Sequence, residues 1–352
     1  MLIKNARIVT RDEDFIGTLR IEDGRIAELA PGNTLARDAQ DWDGDYLLPS
    51  LVELHTDNIE KHLAPRPGVL WNHEAAIIVH DAQVASAGIT TVFDALGVGS
   101  RPENGVRGRE LQISCAQSIG KFVDRGLLRA DHFLHLRCKV GTTDVVDVFD
   151  LLSTHPLFKL ASVMDHPPGQ RQWQDHAKWH KYQERHGKWS DEHASEILAQ
   201  LADHQERYAG KHRADIVARC KGLNISLASH DDTLVEHVEE AAHDGIALAE
   251  FPTIFDAACA AQARYRDHHG RAELGARRLA FGQRVGTRTG ARRAARYPVV
   301  GLRAVEPADR RVRSRRESGL DAAARGIHVV VAGVERGAVR PRRQRVAVRP
   351  DV

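Results

Sequence analysis

The sequence predicts an α/β barrel that follows a small N-terminal β unit. From Leu47 onward, short apolar runs alternate with longer stretches of helical pattern, a spacing typical of βα units and a parallel sheet. Several runs end in polar side chains, and the carboxyl ends of the strands are where α/β barrels carry their chemistry. Six strands are more than half of a TIM-like (β/α)8 barrel, and the runs that predict them are Leu51–Leu54, Ile89–Phe93, Phe133–Leu136, Leu160–Met164, Ile225–Ala228 and Ile246–Phe251.

The N-terminal β unit is predicted from one strand and one hairpin. Leu2 to Val9 has strand character, and two further runs, Thr18–Ile21 and Arg25–Leu29, flank the residues Glu22-Asp23-Gly24. Asp-Gly between two such runs is a strong hairpin signal. The chain is therefore divided into a β unit at residues 1–50, barrel strands one to six at residues 51–272, and a C-terminal segment at residues 273–352.

Charge also divides the chain of 352 residues, although its net charge is only +2. Residues 271–352 contain 21 Arg, no Lys and 7 acidic residues, a net charge of +14. Residues 1–270 carry a net charge of −12 and 19 of the 20 histidines. We therefore expect the chemistry in the acidic, histidine-rich part.

Composition favours a cytoplasmic protein with no membrane partner. No apolar run approaches the roughly 18 residues that a membrane helix needs, and the first residues lack the long apolar stretch of a signal peptide. The cysteines are far apart and form no C-x-x-C pair, which favours reduced, mostly buried thiols over a disulfide framework. They are Cys115, Cys138, Cys220 and Cys259.

The end of the first barrel strand is the most informative stretch. In a strand, residues i and i+2 point to the same face, so His55 and Asp57 are predicted to emerge side by side. An imidazole nitrogen and a carboxylate oxygen suit Zn²⁺ or Mn²⁺. The alternative is a polar surface turn.

Other predicted strands also end in groups of this kind. Repetition at successive strand ends indicates one shared site, because those ends converge in a barrel. One or two divalent ions there would activate water and clamp a phosphoryl oxygen. The strand-end residues are His135 with Arg137 and Lys139, Asp165 with His166, Ser229 with His230 and Asp231, and Glu250.

Cations near these residues indicate an anionic substrate. Lys61, Arg66 and Arg171 follow closely on candidate ligands, and guanidinium groups grip phosphate through two hydrogen bonds. Arg66 lies between Pro65 and Pro67, in a stiff loop that holds its side chain in place. Surface salt bridges are the alternative for each.

The residues over about 1–265 resemble a known family. Leu-Leu-Pro-Ser-Leu-Val-Glu-Leu-His-Thr-Asp-Asn and Gly-Ile-Thr-Thr-Val-Phe-Asp resemble the first two barrel strands of the amidohydrolase superfamily. More specific pieces resemble the phosphonate-metabolism protein M family of the carbon–phosphorus lyase pathway. These are His-Thr-Asp-Asn, Pro-Arg-Pro, His-Leu-Arg-Cys, Met-Asp-His-Pro-Pro-Gly-Gln-Arg-Gln, Ala-Ser-His-Asp-Asp and Ala-Glu-Phe-Pro-Thr.

The resemblance implies hydrolysis of α-D-ribose 1-methylphosphonate 5-triphosphate to the 5-phosphate and diphosphate. The partner would then be a small phosphorylated ribose, with no nucleic acid; a homo-oligomer is left open. The resemblance also implies a divalent-metal site within a barrel, beside a β unit built from both chain termini. It carries the catalytic and ligand roles to His55, Asp57, His166 and His230, with Glu250 and Asp165 as second choices for the metal, and polyphosphate binding to Lys61, Arg66 and Arg171.

The chain departs from this family at two single positions. Ser50 stands where the superfamily usually has Gly, and Lys139 stands where an acid is expected after His-Leu-Arg-Cys. A carbamylated Lys139 would still bridge two metals, as lysines do in other amidohydrolases, and a plain surface lysine is the alternative.

Residues 273–352 depart further. The family continues with Gly-Gly-Ser-His-Ser-Gly-Asn-Val and later Leu-Ser-Ser-Asp-Tyr, which carries a metal-site Asp, and neither is present. Codons CTC GCA TTC GGG CAA CGT GTC encode Leu279–Val285, and a shift by one base gives Ser-His-Ser-Gly-Asn-Val. The same shift turns suitable codons for Pro298–Ala304 into Leu-Ser-Ser-Asp-Tyr-Val. We therefore expect this segment to be out of frame and disordered, the last two barrel strands to be absent, and the chain as written to be inactive.

Two other functions remain open at this point. One is an amidohydrolase that acts on a C–N bond. The cations near the candidate ligands argue against it, because they favour a polyanionic substrate. The other is a nucleic-acid-binding protein that uses a genuine basic tail.

Overall fold

The computed structural model describes residues 1–10, 13–66, 69–100, 108–165, 191–246, 248–267 and 327–330. The chain divides into two units, each with its own sheet. The first unit includes residues 1–52 and 82–90, and the second includes residues 53–81 and 91–267.

The first unit is built on a sheet of six strands. Their order is β12-β5-β1-β2-β3, with β4 beside β1. The hairpin of β2 and β3 is confirmed, and Asp23 and Gly24 at its turn have φ of 48° and 74°, as a tight hairpin turn requires. The strands are β1 (Leu2–Val9), β2 (Asp14–Glu22), β3 (Arg25–Pro31), β4 (Gln40–Asp41), β5 (Tyr46–Pro49) and β12 (Ile327–Val330).

A register shift in β1 explains its burial pattern. The pairing of β1 with β2 shifts between Ile3 and Ala6, where Asn5 has a φ of 54°. The extra residue changes which side chains face inward, so Ile3 and Ala6 are both buried although an odd spacing separates them. With Ile8 and Leu19 they form the small apolar core of this sheet.

The second sheet contains the six strands that the apolar runs predict, in the predicted order along the chain. The sheet order is β11-β10-β9-β8-β7-β6, and successive strands from β7 to β11 pair in parallel. This α/β architecture, half of a barrel, confirms the predicted fold class. The strands are β6 (Leu51–Thr56), β7 (Ile89–Val98), β8 (Asp131–Lys139), β9 (Phe158–Met164), β10 (Ser226–His230) and β11 (Leu248–Glu250).

Helices follow the strands and pack through apolar faces. In the helix Val145–Ser153, the buried residues Val145, Val148, Phe149 and Leu152 recur at helical spacing and join the main core. The helices are α1 (Asn58–Leu63), α2 (His73–Ser86), α3 (Arg109–Asp124), α4 (Val145–Ser153), α5 (Asp191–His204), α6 (Gly210–Gly222), α7 (Val235–His243) and α8 (Phe255–Asp267), with a π-helical turn at Gln205–Ala209 between α5 and α6.

The C-terminal segment is described at four residues. Ile327–Val330 form β12 and pair in parallel with β5. The residues Ile-His-Val-Val are rich in β-branched side chains that suit a strand. The expectation of disorder for residues 273–352 stays a prediction. The rest of residues 273–352 lies outside the described residues.

Two further expectations concern membranes and cysteines. Over the described ranges, no helix combines the length and apolar character needed to cross a membrane. The four cysteines are free thiols, and Cys115, Cys138 and Cys220 are buried, as predicted, whereas Cys259 is exposed.

Candidate active site

The centre of the site is the carboxylate of Glu250, at the end of β11. Its Oε2 accepts hydrogen bonds from Nδ1 of His55 at 2.9 Å and from Nδ1 of His230 at 3.2 Å. All three side chains are almost fully buried. The structure therefore brings together three of the predicted site residues.

Strand topology explains this convergence. His230 and Glu250 are direct neighbours in the parallel register of β10 and β11. His55 lies on β6, at the other end of the strand order. A contact of 2.9 Å between residues of the two terminal strands requires the sheet to curl, and this curvature gathers the strand ends around one site.

The backbone turns sharply just after two of these residues. Asp231 follows His230 with a φ of 55°, and Phe251 follows Glu250 with a φ of 53°. Left-handed backbone at residues other than Gly is uncommon and clusters at functional sites. The ring of Phe251 packs edge-on against His55, with ring centroids 4.9 Å apart, and so supplies an apolar wall.

Electrostatics favour an ionised Glu250. Burial alone raises the pKa of its carboxyl, but the imidazoles of His135, His55 and His230 outweigh burial and hold that pKa well below its usual range. Burial lowers the pKa of His55, against the opposing effect of Glu250. For His230 burial is outweighed by Asp231 and Glu250, which raise its pKa. The site thus presents a carboxylate between two imidazoles.

His135 supports the site and is already engaged on both nitrogens. Its Nδ1 donates to the carbonyl oxygen of Leu54 at 3.0 Å, and its Nε2 accepts from the hydroxyl of Ser162 at 2.9 Å. Burial lowers the pKa of His135 to about 3, so the ring is neutral. Its two hydrogen bonds therefore link β8 to β6 and β9.

The donor set fits a divalent metal. One ligand atom from each of His55, His230 and Glu250 lies within 4.8 Å of the others. Within the described part of the chain, Oε1 of Glu250 is buried and has no hydrogen-bond partner. Two imidazoles and a carboxylate are the ligand types that Zn²⁺ and Mn²⁺ accept.

Among the described residues, the candidate metal group does not include the other predicted ligands. The strand β6 ends at Thr56, so Asp57 leaves the strand before the i, i+2 rule applies, and its side chain is 43% exposed and 3.7 Å from Arg137. Asp165 accepts from Nε2 of Gln205 at 3.2 Å. His166 lies outside the described residues. The metal roles of these three residues stay predictions.

The predicted substrate-binding cations are exposed or outside the described residues. Lys61, on α1, and Arg66, just after it, have exposed side chains, while Arg171 lies outside the described ranges. Lys139 donates from Nζ to the carbonyl oxygen of Gly99 at 3.0 Å. Gly99 has a φ of 100°, and a side chain there would collide with Thr142, so this turn requires glycine.

Arg137 lies near the end of β8, and the sequence predicts no specific role for it. Its Nη2 donates to Oε1 of the buried Glu60 at 3.0 Å. The sequence does indicate that Arg137 belongs to the site. It lies two residues after His135 on β8, and residues i and i+2 of a strand point to the same face.

A second buried group was missed altogether. Asp94, in the middle of β7, accepts from Nε2 of His80 at 2.8 Å and from Nδ1 of His132 at 2.7 Å. The other nitrogen of His132 faces Asp81 at 3.4 Å, and Nδ1 of His80 lies 3.2 Å from the amide nitrogen of Asn58. Because each ring nitrogen already faces a protein group, we interpret this cluster as a structural ion network rather than a metal site.

Comparison with known proteins gives one curated relative and a set of distant structures. Alpha-D-ribose 1-methylphosphonate 5-triphosphate diphosphatase of Escherichia coli (strain K12) is 38% identical over 264 residues, which cover 73% of this chain and 68% of the relative. No family model matches the chain.

The similar solved structures are far more distant. N-acetyl-D-glucosamine-6-phosphate deacetylase from Mycobacterium smegmatis is 12% identical, with a TM-score of 0.43, and the match covers 72% of this chain and 60% of that one. 5-Methylcytosine deaminase from Klebsiella pneumoniae is 14% identical, with a TM-score of 0.43, over 94% of this chain and 74% of that one. A D-hydantoinase is 18% identical, with a TM-score of 0.38, over 71% and 56%.

The identity to the Escherichia coli relative, over more than two thirds of both chains, decides the family. This family agrees with the resemblance seen in the strand-end residues. Among those residues, His55 and His230 both hydrogen-bond to Glu250. This chain belongs to the α-D-ribose 1-methylphosphonate 5-triphosphate diphosphatase family, a family of hydrolases.

Proposed function

We propose that this protein hydrolyses α-D-ribose 1-methylphosphonate 5-triphosphate to the 5-phosphate and diphosphate, in phosphonate catabolism. The observation that carries the proposal is the convergence of His55 and His230 on Glu250, in a chain that is 38% identical to a diphosphatase of that specificity. The reaction adds water across a phosphoanhydride bond. The water oxygen bonds to the phosphorus next to the ribose 5-oxygen, the bond from that phosphorus to the bridging oxygen breaks, and diphosphate leaves.

Within this proposal, His55, His230 and Glu250 hold one divalent ion, zinc or manganese. Asp57, Asp165 and His166 are the further candidates, for this ion or for a second one. Such an ion, when bound, lowers the pKa of water toward neutrality and so provides a nucleophile at physiological pH. The Phe251 ring and the curled sheet limit the access of bulk water to the buried carboxylate.

The exposed cations serve the polyphosphate in this proposal. Lys61 and Arg66 are accessible on the segment that follows β6 and His55. A triphosphate carries several negative charges, and the acidic character of the first 270 residues makes local cations necessary for its binding. Arg171 is assigned the same role from the sequence.

Diphosphate release from the ribose triphosphate tests the proposed function. The full chain as written and a frame-restored chain are each purified, analysed for bound metal and assayed with this substrate. We expect the frame-restored chain to release diphosphate and to require Zn²⁺ or Mn²⁺. Hydrolysis of cyclic amides without diphosphate release would instead support a C–N hydrolase and exclude our proposal.

A further inference from the structure

Arg137 is a buried cation with an unused donor. Its side chain, near the end of β8, is 7% exposed. Nη2 donates to Glu60 at 3.0 Å and Nη1 lies 3.7 Å from Oδ2 of Asp57. Over the ranges that the structure describes, its Nε is buried and has no hydrogen-bond partner. A buried donor left unpaired costs stability, so a protein that retains one invites a functional explanation.

The position of Arg137 links two parts of the site. Through Asp57 and Glu60 it holds the segment that follows β6. On β8 it also shares a face with His135, two residues before it, whose Nδ1 lies 3.7 Å from Oε1 of Glu250. A guanidinium close to a candidate metal group is placed to meet a phosphoryl oxygen.

Other described cations near the site are less suited to this task. Lys61 and Arg66 are exposed, and the ammonium of Lys139 is used by the carbonyl of Gly99. Water screens an exposed charge, whereas the buried guanidinium of Arg137 is screened less and, in the described part of the chain, keeps Nε without a protein partner.

We infer that Arg137 is a substrate-binding residue. Its guanidinium donates a hydrogen bond to an oxygen of the phosphoryl group next to the ribose 5-oxygen. This inference rests on the proposed function, because it assigns a residue to that substrate. A purely structural ion pair with Glu60 is the competing explanation, and the two differ in what they predict for anion binding.

The test is calorimetric titration of the frame-restored chain, with its divalent metal, by ribose 5-phosphate, with ribose as the uncharged comparison. We expect Arg137→Met to weaken binding of ribose 5-phosphate by about tenfold or more, because a charge-assisted contact is lost. Binding of ribose should not change. The matched control is Arg213→Met, since Arg213 is also largely buried and pairs with Asp244 and Glu240.

Two further variants separate binding from folding. Arg137→Met alone removes the cation that donates to Glu60, so the double variant Arg137→Met/Glu60→Gln removes both charges. Glu60→Gln alone removes the carboxylate that accepts from Nη2 of Arg137, and we expect this variant to bind ribose 5-phosphate at least as tightly as the wild type. A folded double variant that binds within twofold of Glu60→Gln would overturn the inference, as would a wild type that does not bind ribose 5-phosphate.

The outcome for Arg137 is distinguishable from the outcome for the proposed function. If the ribose triphosphate is not hydrolysed but ribose 5-phosphate binding still depends on Arg137, the proposed function fails and the phosphate-binding role stands. If diphosphate is released normally while Arg137→Met binds ribose 5-phosphate like the wild type, the inference alone fails.

Discussion

The imidazole of His132 lies between two carboxylates, with Nδ1 2.7 Å from Oδ2 of Asp94 and Nε2 3.4 Å from Oδ1 of Asp81. Burial opposes a charge on this ring, but Asp94 and Asp81 together raise its pKa from 6.5 to about 9. The pair of His132 and Asp94 joins β8 to β7 in the middle of the parallel sheet. An ion network there links the stability of the sheet to pH.

We predict that the protein loses stability as pH rises through about 9. A histidine with a raised pKa in the folded state stabilises fully below its unfolded pKa of about 6.5 and loses that contribution as pH rises through its folded pKa. The shift from 6.5 to about 9 corresponds to on the order of 3 kcal/mol. Urea unfolding of wild type and His132→Gln between pH 6 and 10 measures this difference.

The His132→Gln variant should be less stable at pH 7, with a shallower decline toward pH 10. The matched control is His155→Gln, because burial lowers the pKa of His155 and it holds no charge to lose above pH 7. If the free energy of unfolding falls equally steeply with pH in wild type and His132→Gln, the assignment of a charged His132 is contradicted.

Metal binding should depend on the histidines around Glu250. We predict that His55→Ala or His230→Ala lowers the divalent metal content and abolishes diphosphate release in the frame-restored enzyme, because each removes one donor of the group. Plasma mass spectrometry of the purified variants measures the metal. The exposed His243 provides the control, and His243→Ala should retain both properties. Unchanged metal content and rate in the two site variants would remove both histidines from the metal site.

Substrate charge gives the next prediction. Arg66→Ala or Arg171→Ala should impair use of the triphosphate far more than it impairs metal binding, because each removes a cation and no metal ligand. Loss of one charge-assisted contact typically costs about 1.5–3 kcal/mol, which is roughly ten- to a hundredfold in an equilibrium. Steady-state kinetics measure the effect, with Arg219→Ala as control, since Arg219 pairs with Asp150 on a distant helix surface. Kinetics within twofold of wild type would show that neither arginine clamps phosphate.

The sequence predicted the fold and part of the site because both depend on local patterns. The six apolar runs correspond to β6 to β11, and the convergence rule for strand ends led to His55, His230 and Glu250. The same reasoning does not give the position of Asp57. The i, i+2 rule assumes a continuous strand, and β6 ends at Thr56. Strand boundaries are set by tertiary pairing, which a single segment does not reveal.

The ion network around Asp94 was beyond sequence reasoning for a different reason. Asp94 and His132 lie inside strands, where a lone polar residue in an apolar run gives no sign of its partner. Their pairing depends on the register of β7 and β8, and that of Asp94 with His80 depends on how α2 packs. Such contacts between distant segments become visible only in three dimensions.

The C-terminal segment gives the last prediction. Over the described ranges, the parallel sheet ends at β6 and β11, and Leu51 on β6 is 50% exposed. Open strand edges invite aggregation, and a segment with 20 Arg and little apolar periodicity buries too little surface to offset its ordering entropy. We therefore expect the chain as written to be poorly soluble and inactive, and restoration of the reading frame to rescue both properties.

Limited proteolysis separates the two forms. Trypsin should remove residues beyond about 273 from the chain as written, because the arginines there would be accessible, and should leave the frame-restored chain largely intact. The control is the N-terminal β unit, where Arg7 pairs with Asp14 at 2.9 Å within the sheet and should resist cleavage in both forms. A C-terminal segment that resists trypsin, on a soluble chain that releases diphosphate at the rate of the frame-restored enzyme, would show that the frame hypothesis is wrong.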